Sequence, residues 1–398
     1  MKKDIVVLSA FYMNHVSGNN RTSFIPRFLA EHGHQVELVC PNFDHHTKQY
    51  IPNLSALSEG VPYKITFLRT TPYRANVAPA RVVSQIIFGH HLKRYLNSRV
   101  PPDVVYAFIP SLEVGMVARQ YAAAHNIKFV IDVRDLWPEV FNILLPSPRI
   151  TEVLFYSQKI SADAIYMAAD EVIAVSDTYR ARVMQVNSKA SKGHTIYLGT
   201  ELAKFDAAAS IAREKGKPRE GIAVVYAGTL GNSYDLETLF SALHILRHRG
   251  HQSLKCLIMG DGPLEGAFRA KARTLGVEAE FTGRLPYQQM VSRLVTCDIA
   301  VNTLRKGAAQ SIINKHADYA AAGLPVVSNQ ENEEYRQLVE GWEIGFNCRI
   351  ADAMDMAAKL EMLIVDPALR ERMGKNHRRL AEEKFDRNKT YGQILSLL

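Results

Sequence analysis

Two stretches bring together residue types that do chemistry. The first is Asn314-Lys315-His316-Ala317-Asp318-Tyr319-Ala320-Ala321-Ala322-Gly323-Leu324-Pro325-Val326-Val327-Ser328, which reads as a short helix, a tight turn and a buried strand. Asn314 and Asp318 are four residues apart and Lys315 and Asp318 three apart, so their side chains share one helix face, opposite alanines. Small residues, Gly307-Ala308-Ala309, precede the helix, whose N-terminal N–H groups suit a phosphate. Asp318, one turn deeper, is placed to accept the hydroxyls of a ribose. The competing reading is an alanine-rich packing helix with Lys315 and Asp318 solvated. The second stretch is Asp132-Val133-Arg134-Asp135-Leu136-Trp137-Pro138-Glu139, at the carboxyl end of a predicted strand, where ligands of open α/β sheets gather. Its alternative is an Arg–Asp pair that fixes a loop. Other bases stand at strand ends: Arg284, in Thr282-Gly283-Arg284-Leu285-Pro286, and Lys306, ahead of the loop Gly307–Ser311. With Lys315 they are the candidates to neutralise a diphosphate.

The elements that position these residues follow from hydrophobic patterning. Asp4–Phe11 is a near-continuous apolar run, the signature of a strand buried on both faces of a parallel sheet. A loop containing Gly18 and Arg21, a helix ending at Gly33 and a strand at Gln35–Cys40 complete a βαβ unit, without the three glycines of a dinucleotide fingerprint. Strands are predicted at Tyr63–Leu68, Val104–Phe108, Lys128–Asp132 and Glu171–Val175, and Ser176 is a helix N-cap. Phe141–Pro146 reads as an exposed apolar loop. The charged stretch Ala207–Gly221 reads as a linker, after which the pattern restarts: strand Ile222–Ala227, Gly-rich turn 228–233, helix Asp235–Arg249, strand Leu254–Met259 ending in Gly260-Asp261-Gly262-Pro263, and strand Asp298–Asn302. The fold class is α/β, with two Rossmann-like domains facing across a cleft. The first spans 1–200 with 383–398, a C-terminal helix crossing back; the second spans 201–382.

A chain of 398 residues, 47% hydrophobic and 22% charged, fits about two globular domains. No apolar run is long enough to cross a bilayer, and Met1-Lys2-Lys3-Asp4 leads straight into a strand, so a cytoplasmic location is expected. Four scattered cysteines form no Cys-x-x-Cys pair, which argues against a disulfide framework and a zinc site. The net charge of +8 is uneven. Residues 61–102 contain no Asp or Glu, yet hold Lys64, Arg69, Arg74, Arg81, Lys93, Arg94 and Arg99 among Phe67, Tyr73, Ile86, Ile87, Phe88 and Tyr95. That mixture suits an anionic membrane surface or a lipid diphosphate; nucleic acid ranks lower because no nucleic-acid motif accompanies it.

The order of elements, Asp-x-Arg-Asp-x-Trp-Pro-Glu at 132–139, Gly-Asp-Gly-Pro at 260–263 and Asn-Lys-x-x-Asp-Tyr-x-Ala-Ala-Gly-x-Pro-Val at 314–326 together resemble the retaining family 4 glycosyltransferases of GT-B fold, in particular the bacterial branch that builds surface polysaccharides. The resemblance implies transfer of a hexose or N-acetylhexosamine from a nucleotide sugar, a UDP-sugar first, to a lipid-linked saccharide at the inner face of the cytoplasmic membrane. It puts Asp318 at the second acid of the family's Glu-x7-Glu motif, on the ribose, and Gln310 at the first, near the donor sugar. Thr229 and Tyr234 replace the family's diphosphate-gripping Arg and Lys, leaving the backbone of Gly228–Gly231, the helix end at Ser311, and Lys306 or Lys315. Gly18 and Arg21 then lie near the donor phosphate. Arg134 and Asp135 lie near the reacting carbon, with Asp135 the candidate to orient the acceptor hydroxyl and Asp132 and Glu139 its rivals. No Asp-x-Asp occurs, so no metal or other cofactor is expected. Two alternatives stay open: a GT-B nucleotide-sugar 2-epimerase, and a non-catalytic nucleotide-sugar-binding subunit.

Overall fold

The computed structural model describes residues 1–12, 20–75, 78–139, 153–214 (without the side chain of Arg213), 221–308 and 311–398. The chain divides into two compact units, Met1–Ile196 with Tyr391–Leu398, and Tyr197–Thr390. The expected boundaries at 200 and 383 thus differ by a few residues: 197–200 and 383–390 fold with the second unit.

In the first unit the strands are β1 (Asp4–Leu8), β2 (Gln35–Pro41), a two-strand ribbon of β3 (Phe43–Asp44) and β4 (Gln49–Tyr50), then β5 (Lys64–Leu68), β6 (Val104–Ile109), β7 (Lys128–Val133), β8 (Glu171–Ala174) and β9 (Gly193–Thr195). All but the ribbon form one parallel sheet in the order β5-β2-β1-β6-β7-β8-β9. Apolar runs such as Ile5–Leu8 are buried on both faces because helices cover both. β1 stops short of Phe11, where the Ser9 hydroxyl donates to the Phe11 carbonyl at 2.7 Å and turns the chain. The core of Ile5, Leu38, Tyr106, Val130 and Ile173 also takes in Tyr391, Ile394, Leu397 and Leu398.

The second unit repeats the pattern. Its strands β10 (Ala223–Ala227), β11 (Lys255–Met259), β12 (Ala279–Phe281), β13 (Ile299–Asn302), β14 (Val326–Ser328) and β15 (Gly345–Asn347) form a parallel sheet ordered β12-β11-β10-β13-β14-β15. With the ribbon set aside, both sheets run third, second, first, fourth and onward, the strand order of dinucleotide-binding folds. The order reverses between β1 and β6 in one sheet and between β10 and β13 in the other.

One expectation is corrected and the residues of another are narrowed. Most of the supposed linker is a helix, Leu202–Glu214, with Phe205, Ala208, Ala209 and Ala212 buried, and Arg378 pins it through both oxygens of Asp206 at 2.6 and 2.8 Å. The basic-aromatic segment is also built differently. Tyr73 and Phe88 face inward, Lys64 pairs with Glu37, and Arg99 pairs with Asp4 and Glu37. What helix Pro79–Ser98 turns outward is Val82, Val83 and Ile86 with Lys93 and Arg94.

Candidate functional site

The reversal point of the second sheet is shaped by glycines. Gly228 follows β10 with φ of +152°, a conformation that side chains disfavour. A Cβ on Gly260 would sit 1.9 Å from the Gly228 carbonyl, and one on Gly262 2.4 Å from that of Leu230. The Gly-Asp-Gly-Pro motif is therefore a backbone cradle for the 228–230 turn, sealed by Leu230 N–H donating to the Asp261 carbonyl at 2.8 Å. Across the reversal point, the loop after β13 is held from below. Asn302 donates to Ser328 Oγ (3.1 Å) and Gln330 Oε1 (2.8 Å), Asn329 exchanges hydrogen bonds with the backbone of Leu304, and Gln330 donates to the Ser311 carbonyl at 3.0 Å.

Between these two edges stands the helix Asn314–Ala322. Its Ala317, Ala320 and Ala321 are buried against the core, and His316 fixes it by stacking on Tyr335 at 3.9 Å and accepting from Ile313 N–H at 3.0 Å. Ile313, at the N-cap, offers no side-chain acceptor, and in the first turn His316 N–H donates to the Ile313 carbonyl at 3.1 Å. Lys315 is 6% exposed, and its ammonium lies 4.3 Å from the ring centroid of Tyr226 and 4.5 Å from that of Tyr234. Among the described residues it has no hydrogen-bond partner, nor have the buried hydroxyls of Thr303 and Ser311. Burial lowers the Lys315 ammonium to about 7. A Cβ on Gly228 would lie 3.6 Å from Nζ, so the ammonium points at the glycine turn. An ammonium buried without a hydrogen-bond partner is stabilised by an anion brought to it.

Asp318, 9% exposed, points elsewhere: its Oδ1 accepts from the Tyr287 hydroxyl at 3.0 Å, and Tyr287 in turn meets Thr200 at 2.8 Å. The carboxylate is thus oriented but stays at the edge of the interior. Thr229 follows Gly228, and its carbonyl accepts from Tyr226 at 2.9 Å. Arg284, Lys306 and Asn314 are exposed on the surface. Gly18 and Gln310, with the apolar loop 141–146, lie outside the described residues.

In the first unit the structure separates residues that the sequence groups together. Arg21 and Asp132 are 1% and 0% exposed and pair with each other at 2.8 Å. Asp132 also accepts from Tyr106 at 2.6 Å, and Arg21 donates to the Ile196 carbonyl (2.7 Å) and to Tyr391 (3.0 Å). Both were expected at the ligand; instead they tie the helix Arg21–Glu31, β6, β7 and the C-terminal return together inside the core. Asp135 and Arg134, just past β7, remain half-buried at the surface. Asp135 accepts from Leu136 N–H at 3.1 Å and from the Tyr179 hydroxyl at 3.3 Å, and burial raises its carboxyl to about 6. Arg134 bonds the Thr22 hydroxyl and stacks on Phe108. Glu139 pairs with Arg182. Among the described residues no three His, Cys, Asp or Glu are grouped to hold a metal ion.

Comparison with known proteins agrees with this architecture. Residues 208–380 match the family model for glycosyl transferases group 1, and residues 26–204 that for glycosyltransferase family 4. EpsD of Bacillus subtilis (strain 168), described as a glycosyltransferase, is 24% identical over 289 residues, 70% of this chain and 72% of EpsD. The chain is a glycosyltransferase of GT-B type. Among solved structures, sucrose-phosphate synthase from Thermosynechococcus elongatus superposes with a TM-score of 0.74 at 18% identity, covering 100% of this chain and 98% of that one. Anabaena Alr3699/HepE, solved in complex with UDP-glucose, superposes at 0.69 with 15% identity, covering 99% and 98%.

Sequence reading places Lys315 and Asp318 on one short helix, as the structure does, but misses the side chains they touch. Tyr226, the one aromatic in the otherwise small and aliphatic strand Ala223–Ala227, was available as a signal. Tyr234 is visible in the sequence only as standing where the resembled family has a diphosphate-gripping cation, and Tyr287, at a helix start distant in sequence, is marked by no local pattern.

Proposed function

We propose that the chain transfers a hexose or N-acetylhexosamine from a nucleotide sugar, a UDP-sugar by preference, to a lipid-linked saccharide in bacterial surface polysaccharide synthesis, with retention and without a required metal. The observation that carries this reading is Lys315, a buried ammonium without a hydrogen-bond partner among the described residues, aimed at the turn of Gly228. A diphosphate laid across that turn meets the ammonium, the N–H groups of Asn314 and Lys315 at the helix start and the hydroxyls of Thr303 and Ser311. These fixed donors stabilise the charge that develops as the nucleotide departs. Asp318, oriented by Tyr287, accepts the ribose hydroxyls. The UDP-glucose complex of the structurally similar HepE supports a nucleotide-sugar donor.

In the first unit Asp135 orients the acceptor hydroxyl, whose proton passes to the leaving phosphate on the same face of the sugar. Arg134 lies beside Asp135 and offers the positive charge of the pair. The outward Val82, Val83 and Ile86, together with Lys93 and Arg94, support contact with an anionic membrane face. Among the described residues no helix is long and apolar enough to cross a membrane.

Thermal stabilisation by UDP, GDP, ADP and dTDP, in EDTA and then with Mg²⁺, tests the donor half. One nucleotide is expected to stabilise the wild type by roughly 2–4 kcal/mol at saturation. The effect should be indifferent to EDTA and absent in Lys315→Gln and Asp318→Ala. Equal stabilisation of these variants, or none by any nucleotide in the wild type, rejects this assignment.

A further inference from the structure

The carboxyl end of the first sheet carries a constellation that the donor site does not use. Phe11 follows β1, His45 and Lys48 lie in the turn of the ribbon after β2, Arg81 is in the first turn of helix Pro79–Ser98, and Trp137 follows β7. Rings and cations alternate there. The Arg81 guanidinium is 5.1 Å from the Trp137 ring and 5.5 Å from Phe11, Phe11 and His45 are 4.7 Å apart, His45 and Tyr73 5.7 Å, and the Lys48 ammonium is 5.0 Å from Tyr73. All but Tyr73 are half-buried, so they are fixed in place yet reachable by solvent.

The hydrogen bonds fix the ribbon turn, where the Lys48 ammonium donates to the His45 carbonyl. His45 Nδ1 faces the Tyr73 hydroxyl at 2.5 Å and the Lys48 ammonium at 3.5 Å. An ammonium only donates, so Nδ1 is the acceptor and the ring hydrogen sits on Nε2, which has no partner among the described residues. Burial, with Lys48 and Arg81 adding to it, holds His45 down to about 3, so the ring stays neutral and donates. Lys48 is itself lowered by burial and then by repulsion from Arg81. The nearby carboxylate of Asp44 is engaged by the N–H groups of His46 (2.7 Å) and Thr47 (3.1 Å), where it closes the turn. Arg81 is also close enough to Asp135 for each to shift the other. Two half-buried cations, with the carboxylates of Asp44 and Asp135 near them, a neutral ring N–H beside them and aromatic rings between, match an anionic group attached to a sugar ring.

We propose that this constellation is the acceptor's anion subsite: Lys48, Arg81 and His45 Nε2–H take a phosphate or carboxylate of the acceptor saccharide, and Phe11 and Trp137 take the adjoining ring. The proposal rests on the reading of the first unit as the acceptor-binding one. It narrows the acceptor class to saccharides with a negative charge next to the sugar that is extended, and it places that sugar beside Asp135.

Ligand-observed NMR titration of the full chain with glucose 1-phosphate, glucuronate, inorganic phosphate and glucose tests it. At least one of the two anionic sugars is expected to bind more tightly than both phosphate and glucose, and which of the two leads identifies the anion. Lys48→Gln and Arg81→Gln should each weaken that binding about tenfold or more, Lys48→Arg should restore most of it, and Trp137→Ala should remove the advantage over free phosphate. Glucose binding as tightly as its charged relatives, or charge-removing variants without effect, overturns the subsite. Displacement of the sugar by phosphatidylglycerol vesicles also overturns it, since the patch would then be a membrane contact. UDP titration of the wild type separates the two claims: intact UDP binding with no anionic-sugar binding rejects the subsite alone, and the reverse rejects the donor reading.

Discussion

Lys315 and Asp135 are displaced toward neutrality from opposite sides, the ammonium down to about 7 and the carboxyl up to about 6, each by burial first. For Asp135 the folded value exceeds the unfolded one, so the folded state holds the proton longer. Stability contributed by the protonated acid is full below about 4 and is lost as pH rises through about 6. Asp135→Asn is therefore expected to raise stability at pH 7 by roughly 1–3 kcal/mol while lowering turnover, measured by urea unfolding and by sugar transfer. A variant that is less stable at pH 7 than wild type would show that the charge is compensated. For Lys315 a bound diphosphate favours the ammonium, so binding takes up a proton above pH 7. UDP affinity should fall as pH rises from 7 to 9, calorimetry in buffers of different ionisation enthalpy should detect the uptake, and Lys315→Met should abolish both.

At the scale of elements, the helix Leu202–Glu214 shows what packing adds to a stretch that looks solvated. Phe205 is fully buried within the core of the second unit, and Phe205→Ala is expected to cost about 3–5 kcal/mol in the unfolding free energy, a loss no linker residue would cause. The helix was hidden because its inward positions after Phe205 are Ala208, Ala209 and Ala212, whose small side chains mark a face weakly amid charged neighbours. The sheets were easier to see, since strands buried on both faces, such as Ile5–Leu8 and Val224–Tyr226, have no polar residue to interrupt the run. The candidate site was half legible. Spacing put Lys315 and Asp318 on one short helix, but the aromatic bed of Tyr226 and Tyr234 depends on distant segments. Arg21 and Asp132 were misplaced because a charged residue in a sequence looks the same whether it meets a ligand or a buried partner.

At the scale of the molecule, one strand order serves two ends. The first sheet takes Arg21, Asp132, Tyr106 and Tyr391 into a buried network near its reversal point, in which cation and carboxylate meet, whereas the second leaves Lys315, Thr303 and Ser311 without hydrogen-bond partners among the described residues. The buried network makes the first unit depend on the chain's return. Removal of Tyr391–Leu398 strips Tyr391, Ile394, Leu397 and Leu398 from its core, at roughly 1.5–3 kcal/mol for each large side chain. Limited proteolysis should then cut the first unit at much lower denaturant than the second; simultaneous loss of both would contradict that division. The open reversal point is the central claim, and hydrogen–deuterium exchange of the full chain with and without UDP tests it most directly. Protection is expected in peptides covering 226–234 and 303–318, and should vanish there in Lys315→Gln. UDP protection confined to other segments, or unchanged in Lys315→Gln, would contradict it.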